Sequence, residues 1–541
     1  MRAYFFLLLS GLVTFVSAQS YTERYRPQYH YTPAKNWMND PNGLIYHNGQ
    51  YHLYYQYNPS GDVWGNMSWG HAISNDLTYW EEQQVALSAF DAPAGPLSEF
   101  YFSGSAVSDD IHSSGLGNST RTPLVAAYTS YYPNDVTLPN NQTVRGGTQA
   151  QSIAYSTDDG LTWTEYAGNP VLPLPPSPYE DQWRDFRDPF IFWHEQGHHW
   201  VMVVSLPQLH KLLIYTSKNL TQWEHVSEFG PANAVGGVWE CPNLFPLPLD
   251  GKKSNIKWVL MMGINPGGLA FTGSSATQYI VGSFDGKTFT ADADSAYDPS
   301  SGKANWLDYG PDYYAAATYN GLGNFERVAI TWMNDWAYAT IIPTFPWRSA
   351  MTIPRKLTLE KIDGQPRLLS TPHSNLQSLK HGPPLYSKHW DSIPTGSVTL
   401  PVSGKVLDIT LTFSSGKSSK HLGLGVRTNG MNNGTIIGYD FTTTQMFVNR
   451  NASSDASSFS SLFPGVYYAP LHSKDGTIKL RILLDWSSVE VFGGRGESTI
   501  TAQIFPSDAN TGISLFSNGD AKDVRIKVES VSSAWDISSH K

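Results

Sequence analysis

The chain is predicted to be all-β, with a propeller-type unit followed by a β-sandwich. Short runs rich in Tyr, Val, Ile, Phe and Trp alternate with clusters of Gly, Pro, Asn and Asp, and helix signals are scarce. A hairpin phrase recurs through the first part of the chain. Near Pro354 the character of the sequence changes, and from Val402 onward alternating strands return in a different setting.

The first eighteen residues read as a secretory signal. Arg2 supplies positive charge, Phe5 to Val16 is largely apolar, and Val16-Ser17-Ala18 is a small-residue cleavage site. The apolar run is shorter than the roughly 20 residues a bilayer span requires, and no later stretch approaches that length. The mature protein is therefore expected to begin near Gln19 and to be secreted and soluble. Six Asn-x-Ser/Thr sequons, at Asn66, Asn118, Asn141, Asn219, Asn433 and Asn451, fit that address as candidate glycosylation sites. The single cysteine, Cys241, excludes an intrachain disulfide.

Expected strands include Gln50 to Gln56, Leu124 to Tyr128, Trp200 to Val204, Trp258 to Met262 and Arg327 to Trp332. The recurring phrase is Ser74-Asn75-Asp76-Leu77-Thr78-Tyr79-Trp80, then Ser156-Thr157-Asp158-Asp159-Gly160-Leu161-Thr162-Trp163, then Ser217-Lys218-Asn219-Leu220-Thr221-Gln222-Trp223, with an echo at Ser283 to Phe289. In each, an Asp or Asn can bond its own backbone while an aromatic residue pins the next strand. One such hairpin per blade is a propeller signature. Residues 356–400 lack the phrase, and Lys405 to Phe413 and Lys479 to Phe492 read as strands of a second all-β unit, most simply a sandwich. The expected organisation is a signal at 1–18, a propeller at 19–355, a linker at 356–385 and a sandwich at 386–541.

The net charge is −10, only 15% of residues are charged, and no Lys/Arg cluster stands out, which argues against nucleic acid and anionic membranes. Aromatic residues reach 13%; part of that is core, since aromatics favour strands, and the rest suits sugar binding, where flat rings stack on the apolar faces of sugars.

Three acidic residues sit in rigid local sequences. Asp40 lies in Trp37-Met38-Asn39-Asp40-Pro41-Asn42-Gly43, which reads as a turn at a strand end; alone, it is also an ordinary tight turn. An ionised Asp held there can attack an anomeric carbon. Asp188, in Phe186-Arg187-Asp188-Pro189, is expected to stay ionised beside Arg187 and to accept sugar hydroxyls, or else to form a structural pair closing a blade. Glu240, in Trp239-Glu240-Cys241-Pro242, has apolar neighbours that would raise its pKa for a general acid; the alternative is a strand Glu facing solvent. Cys241 reads as a buried neighbour of Glu240. Neither it nor His52, His71, His198 and His199 shows metal-ligand spacing, so no metal and no cofactor are expected.

Together these phrases resemble the glycoside hydrolases of the invertase, inulinase and fructosyltransferase family (family 32, clan J), and within it fungal exo-inulinases. Further carriers are Gln56-Tyr57-Asn58-Pro59, Trp64-Gly65-Asn66, Phe102-Ser103-Gly104-Ser105, Pro346-Trp347-Arg348-Ser349-Ala350-Met351 and Asp485 to Gly494. The resemblance implies a five-bladed propeller followed by a β-sandwich, and double displacement with retention. It implies Asp40 as nucleophile, Glu240 as acid/base and Asp188 as transition-state stabiliser. Asn39, Gln56, Trp64, Ser103, Arg187 and Trp336 are implied as the pocket for a terminal fructose, with fructans and sucrose as substrates.

Asp335 and Thr331 depart from the usual Asn and Gly of relatives, and the loop Asp91 to Glu99 has its own composition; both bear on the grip of the leaving sugar. Three other readings remain open. A fructosyltransferase would use the same three acids. A non-catalytic fructan-binding propeller would not need them. A sialidase, raised by the Ser-x-Asp-x-Gly-x-x-Trp form at Ser156 to Trp163, would need an arginine cluster that is not evident. The chain does not disclose its oligomeric state.

Overall fold

The computed structural model describes residues 21–117, 121–323, 325–430, 434–453, 459–473 and 475–535; the expected signal at 1–18 and the sequons Asn118 and Asn433 lie outside the described residues. Five sheets, each built on four antiparallel strands, follow one another from Asn36 to Pro372. Their innermost strands are β1 (Asn36–His47), β2 (Phe100–Ser108), β3 (Arg187–His194), β4 (Val238–Pro248) and β5 (Tyr314–Thr318). Each touches the next around one axis, and β5 returns to β1, so the ring is closed. The five-bladed propeller expected from the family resemblance is the fold observed.

The period-two alternation of a strand builds the ring. Phe190 and Phe192 of β3 pack toward sheet IV, whereas Ile191 between them packs toward sheet II. Likewise Leu244 faces sheet III and Phe245 faces sheet V. Both faces of a blade are therefore buried, which is why strands such as Trp200 to Val204 read as unbroken apolar runs.

The repeated phrase occupies one structural position: the hairpin between the third and fourth strands of sheets I to IV. Asp76 Oδ1 accepts the Thr78 and Tyr79 amides, Asp158 Oδ1 the Thr162 amide, Asn219 Oδ1 the Gln222 amide, and Asp285 Oδ1 the Lys287 and Thr288 amides. Sheet V makes the same connection by a tight turn at Asp363-Gly364, where both residues have positive φ (51° and 85°). This corrects the expected linker: Arg355–Ile362 and Gln365–Pro372 are the outer hairpin of the fifth sheet, and only the residues after Pro372 lead to the sandwich. The alternating burial of Arg355, Leu357 and Leu359 is a strand signal that the missing phrase obscured.

Two six-stranded sheets follow, from Tyr386 to Ser530, around a core of Leu, Ile, Val and Phe side chains. The span Lys479 to Phe492 is a hairpin of Thr477–Leu484 and Ser488–Gly493. Among the sequons, Asn141 and Asn451 are exposed, while Asn66 and Asn219 are half-buried in turns.

The two units are joined through buried charges. Arg355 of sheet V donates Nε to Glu490 Oε2 at 2.9 Å and Nη1 to Asp308 Oδ2 at 2.9 Å, all fully buried. Asp308 also accepts the Thr501 amide at 2.9 Å. His30 lies between two sandwich carboxylates, Asp485 Oδ2 at 2.7 Å and Glu490 Oε1 at 2.8 Å. Burial disfavours its charged form, but the two hydrogen-bonded carboxylates outweigh that and raise the imidazole from 6.5 to about 9. Because the folded-state pKa lies above the ordinary one, His30 contributes stability that is fully present below about pH 6.5 and is lost as pH rises through about 9. Thermal unfolding scanned from pH 6 to 10 is expected to show this loss. The His30→Ala variant should be destabilised by about 3–5 kcal/mol, as for one partner removed from a buried ion pair, and should lack the pH dependence.

Candidate active site

Each inner strand breaks its ladder near the end at which it enters the ring. The pairing register slips at Asn39-Asp40 in β1, Ser103 in β2, Asp188-Pro189 in β3, Cys241-Pro242 in β4 and Ala315-Ala316 in β5. These are β-bulges: an unpaired residue bends the strand and re-aims a side chain. Asp188, Cys241 and Ala315 hold positive φ (67°, 50° and 54°) at matching places in three successive strands. Proline fits there because the ladder hydrogen bond is already missing. The prolines beside the acids thus mark bulges. Asp40 consequently lies inside strand β1, which corrects its expected place in a tight turn. The following Gly43 (φ 52°) serves a second irregularity, where an added Cβ would meet Trp69 and Tyr54 at 2.8 Å each.

All nine predicted catalytic and pocket residues line one cavity of about 430 Å³, several of them at or beside the bulges: Asn39, Asp40, Gln56, Trp64, Ser103, Arg187, Asp188, Glu240 and Trp336. Asp40 Oδ2 accepts from Ser103 Oγ at 2.7 Å and Oδ1 from Asn39 Nδ2 at 3.0 Å. Asn39 is fixed in turn by Trp37 Nε1, which donates to its Oδ1 at 2.7 Å. Cys241 links two of the acids: its amide donates to Asp188 Oδ2 at 2.9 Å and its thiol to Asp40 Oδ2 at 3.4 Å. Gln56 Nε2 donates to the Tyr101 carbonyl at 2.8 Å, and Trp64 stands edge-on to Phe102 with centroids 5.9 Å apart. Trp336 lies against Trp37 at 5.8 Å.

Two electrostatic expectations are corrected. Arg187 directs its fork at Glu240, with Nε and Nη2 at 3.1 and 2.7 Å from Oε1, and approaches Asp188 only to 4.0 Å. Burial therefore pushes Asp188 up to about 7; Arg187 lowers it, but the charges of Glu240 and Asp40 add to the rise. The expected apolar surround of Glu240 is likewise absent. Trp239 is fully buried between sheets III and IV, because strand neighbours alternate sides, and the carboxylate meets Arg187 and the Tyr314 hydroxyl. Burial also raises Asp40, opposed by the Ser103 and Asn39 bonds, and raises the Cys241 thiol well above its usual value.

Sequence reasoning missed Tyr314, whose hydroxyl donates to Glu240 Oε2, and the cavity residues Phe102, Tyr131, Gln149, Asp185 and Asn265. Phe102 was visible in its motif. Tyr314 carried no signal, since Tyr313-Tyr314-Ala315-Ala316 reads as an ordinary strand start.

Asp335 is fully buried and does not line the cavity, so it bears on the grip of the leaving sugar only through its neighbours. Its Oδ2 accepts the Ser275 amide and its Oδ1 the Ala337 amide, both at 2.9 Å. Ser275 Oγ donates to Asn265 Oδ1 at 3.1 Å and accepts the Trp336 amide at 3.4 Å. Asp335 thereby ties two cavity walls, Asn265 from sheet IV and Trp336 from the connection between the second and third strands of sheet V. The loop Asp91 to Glu99 contributes no cavity residue. Asp335→Asn keeps one acceptor oxygen and should cost about 1 kcal/mol, whereas Asp335→Ala strands two buried amides and should cost about 2 kcal/mol or more. Calorimetric unfolding of both variants checks the order.

Comparison with known proteins agrees with this fold. The model of the glycosyl hydrolases family 32 N-terminal domain matches residues 30–372, and that of the glycosyl hydrolases family 32 C terminal matches residues 375–532. An extracellular exo-inulinase of Aspergillus ficuum is 53% identical over 529 residues, covering 97% of this chain and 98% of that protein. A levanase of Bacillus subtilis is 42% identical, covering 98% of this chain and 74% of that protein. The crystal structure of an exo-inulinase from Aspergillus awamori superposes with a TM-score of 0.92 at 52% identity, covering 95% of this chain and all of that one (100%). With both domain models matched in order along nearly the whole described chain, the protein belongs to glycosyl hydrolases family 32.

Proposed function

We propose that this protein is a secreted, retaining exo-β-fructosidase that removes terminal β-D-fructofuranosyl units from inulin-type fructans and sucrose. The observation that carries the reading is the convergence of Asp40, Asp188 and Glu240 on one funnel, each held by its own donors. The names of its relatives, extracellular exo-inulinases and a levanase, support the substrate class and the address.

In this reading Asp40 attacks C2 of the terminal fructose, the C2–O bond to the leaving sugar breaks, and Glu240 protonates the departing oxygen. Glu240 then takes a proton from water, which attacks C2 and releases fructose and Asp40. The bonds from Ser103 and Asn39 orient the attacking carboxylate. Sugar hydroxyls donating to Asp188 favour its ionised form and leave the proton of the first step to Glu240. Gln56, Trp64, Arg187 and Trp336 wall the pocket for the ring.

The test is the product profile on inulin, levan and sucrose. Fructose should be the sole early product, and Asp40→Asn and Glu240→Gln should each lose about 10³-fold or more in kcat. Growth of longer oligosaccharides from sucrose would identify a fructosyltransferase, and the absence of any product would overturn the reading. The pH profile is a second check. With Asp188 raised to about 7, kcat/KM should fall on the alkaline side from about that pH as the acid cluster loses its last proton.

A further inference from the structure

Exposed apolar side chains lie on two segments that flank the start of β1, beside the cavity residue Trp64. Phe345 is 75% exposed, the largest value for any large apolar side chain among the described residues; Ile341 is 50%, Val63 47% and Trp64 42% exposed. The two segments, 59–66 and 338–346, meet at the start of β1. The Trp37 amide donates to the Gly61 carbonyl at 2.9 Å and the Asn36 amide to the Pro346 carbonyl at 2.8 Å. Trp347–Arg348 then pairs with Asn36 and Trp37. Arg348 cross-links the segments, binding Asp62 Oδ2 at 2.8 Å and the carbonyls of Thr340 and Thr344. Its pairing with Asp62 offsets the charge of the two segments, and the apolar side chains share the open surface with neutral Ser60 and Thr340.

Asn36 stands four residues above Asp40, about 13 Å at the usual rise of a strand, which is farther than one sugar ring reaches. Trp64 belongs to both places, lining the cavity and standing at its lip.

Resting on the fructosidase reading, we propose that Val63, Trp64, Ile341 and Phe345 form a platform that holds the fructan chain beyond the unit being cleaved. Flat aromatic and aliphatic surfaces suit the apolar faces of neutral furanose rings, and the platform continues the wall of the pocket. Sucrose, with only one unit past the scissile bond, meets the platform at Trp64 alone and does not reach Ile341 and Phe345. The platform therefore favours polymeric inulin over sucrose through binding rather than through the chemical step.

Steady-state kinetics of Phe345→Ala and Ile341→Ala on long-chain inulin and on sucrose test this. KM for inulin is expected to rise about three- to tenfold at unchanged kcat, while both constants for sucrose stay within about twofold. Equal shifts on both substrates, or no shift on inulin, would overturn the proposal. Titration of inulin into Glu240→Gln, with and without Phe345→Ala, reads binding without turnover. Weaker inulin binding with Phe345→Ala supports the platform even if the intact protein releases no fructose, an outcome that would defeat the fructosidase reading instead. Light scattering covers the other occupant: if Phe345→Ala dissociates an oligomer and leaves inulin binding unchanged, the surface joins two copies of the chain and the platform is rejected.

Discussion

The candidate active site depends on a backbone constraint: five inner strands converge on one axis, and each must leave its ladder at the same level. A regular strand in this ring would send alternate side chains into the two neighbouring blades and none into the funnel. The bulge breaks that alternation. Asp188, Cys241 and Ala315 accept positive φ for this purpose, a conformation that costs of order 1–3 kcal/mol for a residue with a side chain. The apolar clusters at the five blade junctions, each drawing on two neighbouring sheets, hold the strands in that strained arrangement.

The second constraint is electrostatic. Four carboxylates line a cavity with a single guanidinium, and Arg187 spends its close contacts on Glu240 and Asp185, leaving Asp40 and Asp188 without one. What remains for the aspartates is a set of neutral donors: Ser103 and Asn39 on Asp40, and the Cys241 amide on Asp188. Such a cluster destabilises the empty protein by repulsion and burial, and the same imbalance keeps a proton in the site near neutral pH. Cys241 matters through position. Its bulged backbone places an amide on one aspartate and a thiol on the other, and its high pKa keeps that thiol a donor.

What could be read from the sequence follows the range of each interaction. The Asx-turn phrase is local, so four blades announced themselves at Asp76, Asp158, Asn219 and Asp285. The fifth turns through Asp363-Gly364 and left its outer hairpin looking like a linker. The acidic residues were visible for the same reason, since each sits by a bulge proline. Their partners were not. Adjacency pairs Arg187 with Asp188, but the ring brings Glu240, 53 residues away, closer to the guanidinium. Tyr314 meets Glu240 only because β5 follows β4 around the axis. Residues that act across a closed ring carry no spacing signal in the chain.

The sandwich supplies no residue to the cavity, yet the funnel mouth leans on it. Arg450, fully buried, reaches across to Asp312 Oδ2 at 2.7 Å and donates to the Tyr338 hydroxyl at 3.0 Å. Gln503 Nε2 donates to Asp312 Oδ1 and to Asn334 Oδ1, each at 3.1 Å. Asn334, Asp335 and Tyr338 bracket Trp336, so the cavity wall and the start of the lip segment are anchored to the second domain from behind. A buried guanidinium with several acceptors is costly to displace, and breaking such a pair leaves an uncompensated charge. The sandwich thus converts a surface loop into a rigid edge. A substrate that must thread its chain end into a narrow funnel gains from an edge that needs no ordering when the chain arrives.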